Sequence, residues 1–504
     1  MTYPQLLALS PVLIVSATSV IVMLAIAVKR HHGFVVAASL AGLALALVAT
    51  AAVWHTSETP RAITVLLVID PFACFYMALI LIAAIATTAL LHTYLGRYQG
   101  HREEMYLLLL LATVGGMVMV ASRHFTSFFV GLELLSMPMY GMAAYLVKER
   151  RSLEAGMKYL VLSAVASAFI VFGMALIYSQ TGTMVFGDIG AKLAEITAGE
   201  LIVVMLGNAL ILIGLGFKLS LAPFHLWTPD VYEGAPAPVA SFLATASKIA
   251  VFALLLRYVI ETHALEYATL VDALSMLAVL SIAAGNILAL QQLNLKRLLA
   301  YSAIAHFGYM LVALIASGPF ATEAVGMYLL TYSVTTLAAF GVISLVSSPL
   351  DHEAEALSDY RGLFWRHPGL AAILTLALLS LAGVPLTAGF LGKFYVLSAG
   401  VDKHQWFLLG AIVAGSAVGL YFYLRAMIQL YLRPAPVAAA AAPSTIATVI
   451  PALDWARGEG AGMLIVLVLL MLVLGVYPES FVKLAQGAGI EPQPSPVSLA
   501  TDRR

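Results

Sequence analysis

Stretches of roughly 20 apolar residues, each long enough to cross a bilayer, alternate with short polar interruptions along the chain. They fall near 5–28, 33–53, 72–93, 105–121, 125–146, 157–179, 201–222, 239–260, 269–291, 298–317, 322–347, 367–399, 406–432 and 461–477. The pattern predicts an all-α integral membrane protein of about fourteen transmembrane helices. The first run, Gln5 to Val28, lacks a basic leader and a small-residue cleavage site, so it reads as a spanning helix and not a removable signal. Helices 7 and 12 are expected to be broken, at Pro223 and Pro385, because proline removes a backbone donor and obstructs the preceding turn. Such breaks are tolerated at membrane depth only where protein or water rescues the freed backbone groups. The Ala- and Pro-rich stretch Pro434 to Pro451 reads as a flexible connection before the last helix.

A weak repeat overlies this pattern. Glu154-Ala155 with Tyr159-Leu160 recurs 169 residues later as Glu323-Ala324 with Tyr328-Leu329, and Leu219-Ser220-Leu221-Ala222 recurs as Leu379-Ser380-Leu381-Ala382, each before a breaking proline. The shift corresponds to five helices, an odd number. The second unit must therefore enter the membrane from the opposite side, giving inverted repeats of helices 4 to 8 and 9 to 13, an architecture of secondary transporters. The expected division is residues 1–100 for helices 1 to 3, 101–262 and 263–434 for the two repeats, and 435–504 for the linker, last helix and tail. Loops after odd-numbered helices hold fourteen Lys or Arg against five after even-numbered ones. By the positive-inside rule both termini are expected to face outward.

Composition narrows the function. Of 504 residues 62% are hydrophobic and 10% charged, spread along the whole chain, which excludes a soluble fold. Basic and acidic residues both total 26, so nothing suggests a nucleic-acid partner. Cys74 is the single cysteine, which rules out an internal disulfide and by itself holds neither an iron–sulfur cluster nor zinc. No glycine-rich nucleotide-binding signature is apparent. No cofactor or metal is therefore expected in this chain, and any redox centres belong elsewhere.

The informative residues are the ionisable ones inside apolar segments, each costing about 2.5 to 3.5 kcal/mol at a helix centre on insertion scales. Glu133 sits in the body of helix 5, Lys218 shortly before the Pro223 break, Lys248 within helix 8, His306 within helix 10, and Lys393 after the Pro385 break. Lys158, nearer a helix end, is as readily explained by snorkelling to the headgroups. An ion pair between Glu133 and Lys218 would satisfy both, either as a static brace or as a switch. Burial disfavours a charged lysine and a nearby carboxylate favours it, so such a lysine can exchange a proton when its partner moves away. An unperturbed histidine titrates near neutrality, so His306 suits a relay, although a lone histidine in an apolar helix is more often a hydrogen-bonded core residue.

The run from Gly216-Phe217-Lys218 through Pro223-Phe224-His225-Leu226-Trp227-Thr228-Pro229-Asp230-Val231-Tyr232-Glu233-Gly234 to Pro238, continuing to Ser247-Lys248, resembles the signature of the antiporter-like subunits of complex I and of multisubunit cation/proton antiporters. The likeness extends over Glu133, Arg151 to Tyr159, Asn294 to Ser302 and Gly383 to Lys393, nearly the whole chain. It is greatest to the subunit N branch, from length, the lysine in the second broken helix and no long lateral helix after helix 14. The resemblance implies a proton relay of Glu133 paired with Lys218, Lys248 at the centre of a hydrated axis, His306 as a bridge, and Lys393 leading outside. It also implies NAD, FMN, iron–sulfur clusters and quinone elsewhere in the complex. The implied partners are homologous antiporter-like and small membrane-arm subunits and membrane lipids, in a bacterial inner membrane with both termini periplasmic.

Three other readings compete. A sodium/proton antiporter subunit would want further mid-membrane carboxylates beyond Glu133. A structural or quinone-lining subunit would use the lysines as braces. A haem-binding subunit fits poorly, since most of the twelve histidines, among them His31, His32, His101, His352, His367 and His404, fall at helix ends or loops.

Overall fold

A computed structural model describes residues 2–56, 61–96, 98, 100–193, 195–349, 353–433 and 458–490. All fourteen apolar runs are helical within it. We number them α1 (Tyr3–Val28), α2 (His32–Thr56), α3 (Pro71–Leu95), α4 (Glu103–Val120), α5 (Phe125–Ala143), α6 (Arg150–Thr181), α7 (Ala198–Leu219, resuming as Trp227–Gly234), α8 (Ala237–Glu261), α9 (Ala268–Leu290), α10 (Leu295–Ala316), α11 (Pro319–Val346), α12 (Pro368–Ala382, resuming as Ala388–Asp402), α13 (Trp406–Tyr431) and α14 (Glu459–Val476). Twelve are long and apolar enough to span a membrane unaided. The two that fall short are α5, which carries Glu133 and Pro138 in 19 residues, and α12, split into halves of 15 residues each. Among the described residues the only paired strands are the two-residue β1 (Arg61–Ala62) and β2 (Val68–Ile69), antiparallel in the α2–α3 loop. The proposed linker 434–451 lies outside the described residues.

The helices sort by burial. α8 and α10 are enclosed along their whole central stretch and α3 and α11 nearly so, whereas α1, α2, α6, α13 and α14 keep more than half of theirs on the outside. Burying a helix on all sides lets it carry polar groups that lipid would reject, and the inner helices hold Lys248 and His306. The two expected repeats show parallel packing. α4 lies along α5 as α9 lies along α10, and the long α6 and α11 each pack against both halves of the broken helix that follows.

Both breaks begin at a residue in the left-handed region, Ser220 (φ 65°) in α7 and Gly383 (φ 82°) in α12. Glycine adopts that conformation without a Cβ penalty; Ser220 is held there by Thr228, whose hydroxyl donates to its Oγ at 2.6 Å. α8 is interrupted as well, at Thr245, which separates Ala237–Ala244 from Ala246–Glu261. No proline or glycine marks that kink in the sequence.

Two cations counted with the loops for orientation are in fact helical and buried. Arg257 in α8 is 1% exposed and pairs with Asp70, and Lys296 in α10 is fully buried. Lys158 does sit at a surface, 41% exposed, bonded to Glu154 and Asp230.

A buried lysine and histidine axis as the candidate functional site

The break in α7 frees carbonyl groups at the end of its first half, and buried donors take them up. Trp227 Nε1 donates to the Phe217 carbonyl at 2.9 Å, and Lys248 Nζ donates to the Lys218 carbonyl at 2.6 Å and to Ser220 Oγ. α12 repeats the arrangement, with Lys393 Nζ donating to the Ala382 carbonyl at 2.8 Å. In both cases an ammonium sits at the carbonyl end of a half-helix, where the helix dipole is negative. The proline breaks thus create the acceptors that make a buried lysine tolerable.

Lys218 is 4% exposed and does not meet Glu133 within 4 Å in this conformation; instead it donates to Ser136 on α5 at 2.7 Å and Ser163 on α6 at 2.5 Å. Glu133 accepts from Ser167, one helical turn beyond Ser163, at 2.5 Å. Tyr140 completes the cluster by donating to Ser163 at 2.6 Å. The expected pair is therefore open, with serines occupying both partners.

Lys248 is fully buried and lies over the Trp227 ring at 4.9 Å and the Phe307 ring at 5.8 Å. Next along α10, His306 bonds Tyr328 through Nδ1 at 2.7 Å and Tyr423 through Nε2 at 3.1 Å; Tyr423 is also hydrogen-bonded to Ser302. Lys393 lies 5.6 Å from the Tyr309 ring centroid, and that ring is 5.6 Å from His306. Lys218, Lys248, His306 and Lys393 are thus buried in a row from α7 to α12, with Glu133 half-buried at its α5 end; Lys218 and Lys248 are linked through the Lys218 carbonyl, whereas His306 and Lys393 meet only through the Tyr309 ring. The gap between Lys248 and His306 is bordered by aromatic rings without a direct polar contact. The serines and tyrosines escaped the sequence reading because a lone hydroxyl in an apolar helix carries no signal until its neighbours are known. His225, quoted in the sequence run, lies buried in the α7 break with neither ring nitrogen hydrogen-bonded.

An architecture of this kind, with two broken helices capped by buried lysines, defines a class of ion-translocating membrane subunits, and comparison agrees: the family described as NADH:quinone oxidoreductase/Mrp antiporter, TM matches residues 122–419. The chain belongs to that family. It is 52% identical to NADH-quinone oxidoreductase subunit N of Ectopseudomonas mendocina over 495 residues, covering 97% of each chain. Among solved structures it is similar to a chain of respiratory complex I from Thermus thermophilus bound to aureothin, with a TM-score of 0.78 and 35% identity over 95% of this chain and 100% of that one. A chain of the Mrp complex from Dietzia sp. shares the fold, with a TM-score of 0.82 at 20% identity over 99% of each chain.

Proposed function

We propose that this chain is a proton-translocating subunit in the membrane arm of a respiratory NADH:quinone oxidoreductase, and that Glu133, Lys218, Lys248, His306 and Lys393 form its proton relay. The observation that carries the reading is the row itself: three lysines and a histidine, each under 10% exposed, with Lys248 and Lys393 each donating to a carbonyl freed by a broken helix. A static brace would place Lys218 against Glu133. Here the two are held apart by Ser163 and Ser167, which gives Lys218 a second set of acceptors and hence two states to alternate between.

In one state Lys218 pairs with Glu133 and keeps its proton. In the other, the state seen here, Lys218 turns to the serines while Lys248 rests on the Lys218 carbonyl. Loss of the carboxylate favours release of the proton toward Lys248, and His306 passes it to Lys393 and the outer side. Moving one charge against 100 mV costs about 2.3 kcal/mol, within the range of coupling energies measured for close charge pairs, about 1.5 to 7 kcal/mol. As a translocase subunit the chain performs no covalent chemistry; NAD, FMN, iron–sulfur clusters and quinone act in other subunits. The division at residues 1–100, 101–262, 263–434 and 435–504 belongs to the same reading, as does a bacterial inner membrane with both termini periplasmic.

The test replaces Lys218 and, separately, Lys248 by Ala in the native membrane. Assembly is checked on blue-native gels, and NADH-driven quinone reduction is measured with proton uptake into inverted vesicles. Retained assembly with reduced pumping is the expected result. Normal pumping by fully assembled variants would make the lysines structural.

A further inference from the structure

The arginines on the side of the odd-numbered loops are of two kinds. Arg30, Arg151 and Arg297 each meet a carboxylate, at 2.6, 2.7 and 2.7 Å. Arg361, Arg366 and Arg433, at the adjoining ends of α12 and α13, are exposed, and among the described residues no carboxylate lies within 4.0 Å of their guanidiniums. Arg361 Nε donates to the Arg433 carbonyl at 3.3 Å, and Arg366 Nη2 donates to the Asp359 and Arg361 carbonyls at 3.2 and 3.1 Å. The side chain of Asp359, the nearest acid in the sequence, accepts from the Ala356 N–H at 3.0 Å. Three cations thus stand together with most of their donors facing outward.

The backbone around them is fixed. A short helix, Leu363–Arg366, precedes α12. Gly362 N–H, just before it, donates to the Gln429 carbonyl of α13 at 3.1 Å, and Trp365 Nε1 donates to the Tyr431 carbonyl at 3.2 Å. The Phe364 ring lies 5.4 Å from Trp365 and 5.2 Å from Tyr431. These aromatic residues remain open to the outside, Trp365 at 57% and Tyr431 at 41%. From Tyr431 an exposed apolar stripe continues along α13 through Ile428, Tyr421 and Val413. Their spacing places them on one face of the helix.

A guanidinium presents a planar fork of donors that matches phosphate oxygens. Basic residues at the ends of membrane helices attract anionic headgroups, and Trp and Tyr settle at headgroup level. We infer that Arg361, Arg366 and Arg433 hold the phosphate of an anionic phospholipid, with Trp365 and Tyr431 beside its glycerol and its acyl chains along the α13 stripe. An acidic soluble segment would match the arginines and leave the stripe uncovered; one phospholipid matches both. The headgroup bridges a cation before α12 to a cation after α13, and so ties the start of the broken helix that carries Lys393 to its neighbour. None of these residues belongs to the proposed relay, so the site stands or falls independently of it.

The experiment uses the whole complex reconstituted in equal parts of phosphatidylglycerol and phosphatidylcholine, with a photoreactive diazirine near the glycerol end of an acyl chain of one lipid or the other. After illumination the subunit is digested and labelled positions are read by mass spectrometry. Tagged phosphatidylglycerol is expected to label segments 361–366 and 428–433 several-fold more than tagged phosphatidylcholine does. Combining Arg361→Gln, Arg366→Gln and Arg433→Gln should lower that labelling about tenfold or more, whereas Lys403→Gln, in an even-numbered loop, should label as the parent does. Equal labelling by the two lipids, or parental labelling of the assembled triple variant, overturns the site. Absence of labelling from both segments also overturns it and assigns the patch to a neighbouring subunit. Excess inorganic phosphate, against sodium chloride of equal ionic strength, should leave the labelling unchanged; if phosphate abolishes it, the arginines bind free phosphate and the lipid assignment falls. Where the triple variant does not assemble, the two lipids compared on the parental complex still decide the outcome.

Discussion

A lysine ammonium inside a bilayer has to be matched by acceptors, and in this chain those acceptors are hydroxyls and carbonyls more than carboxylates. Hydrogen bonds to a charged group contribute about 1.5 to 3 kcal/mol each. Ser163→Ala removes one of two such bonds from Lys218 and is expected to shift Lys218 toward Glu133 by about tenfold or more at that energy. Pumping should fall in an assembled complex, and Ser163→Thr, which keeps the hydroxyl, should restore it; equal pumping by the Ala variant would show that the serine does not hold the open state. The lysines, Glu133 and His306 were legible in the sequence because charge inside an apolar run is rare. The serines were not, since their role depends on which helix faces which.

Glu355, in the loop between α11 and α12, makes a pH-dependent contribution. Burial pushes its carboxyl above the usual range, with Lys296 and Arg151 drawing it part of the way back. A group that binds its proton more tightly in the folded chain contributes stability that is complete below its unfolded pKa and is lost as pH rises through the folded value. Glu355→Gln removes the titration. The melting temperature of the variant relative to the parent should therefore increase between pH 5 and pH 8; a difference that stays flat or falls would contradict this assignment.

At the scale of elements, the breaks in α7 and α12 were legible from Pro223 and Pro385, but the conformations that begin them lie upstream, at Ser220 and Gly383. A Cβ on Gly383 would approach Lys393 Cδ to 2.8 Å and Nζ to 3.1 Å, at a φ that disfavours any side chain. Left-handed backbone costs an L-residue roughly 1–2 kcal/mol. Gly383→Ala is therefore expected to displace Lys393 from the Ala382 carbonyl and to reduce pumping in assembled complex. Gly410→Ala, where a Cβ meets nothing within 4 Å, should pump normally. The kink at Thr245 had no such herald. Its side chain bonds back to the Ser241 carbonyl at 2.7 Å, and Lys248 reaches the α7 break one turn later, so tertiary demand sets the conformation there.

Across the whole molecule, ion pairs tie the parts together at both ends, a role that the count of basic residues by loop did not reveal. At one end Arg297 joins α10 to Asp230 and Glu233 of α7, both at 2.7 Å, while Arg151 reaches Glu355 at 2.7 Å, fastening one expected repeat to the other. At the other end Arg257 of α8 meets both oxygens of Asp70 at 2.8 Å and lies over the Phe72 ring at 4.6 Å, fastening α3 to α8. A count of basic residues by loop cannot see this, because it treats a cation one turn inside a helix end as exposed. Removing one partner of a buried pair typically costs about 3–5 kcal/mol, since the other charge is left uncompensated, whereas replacing both by apolar groups is often neutral. Asp70→Asn should therefore lower the temperature at which the assembled complex disappears from blue-native gels, and Asp70→Leu with Arg257→Met should recover most of that loss. If the single variant is as heat-stable as the parent, Glu261, 3.3 Å from Arg257, suffices as its counter-ion and the clamp between α3 and α8 rests on apolar packing. If the double variant fails as badly as the single one, the pair holds the two helices in register and does more than neutralise its own burial.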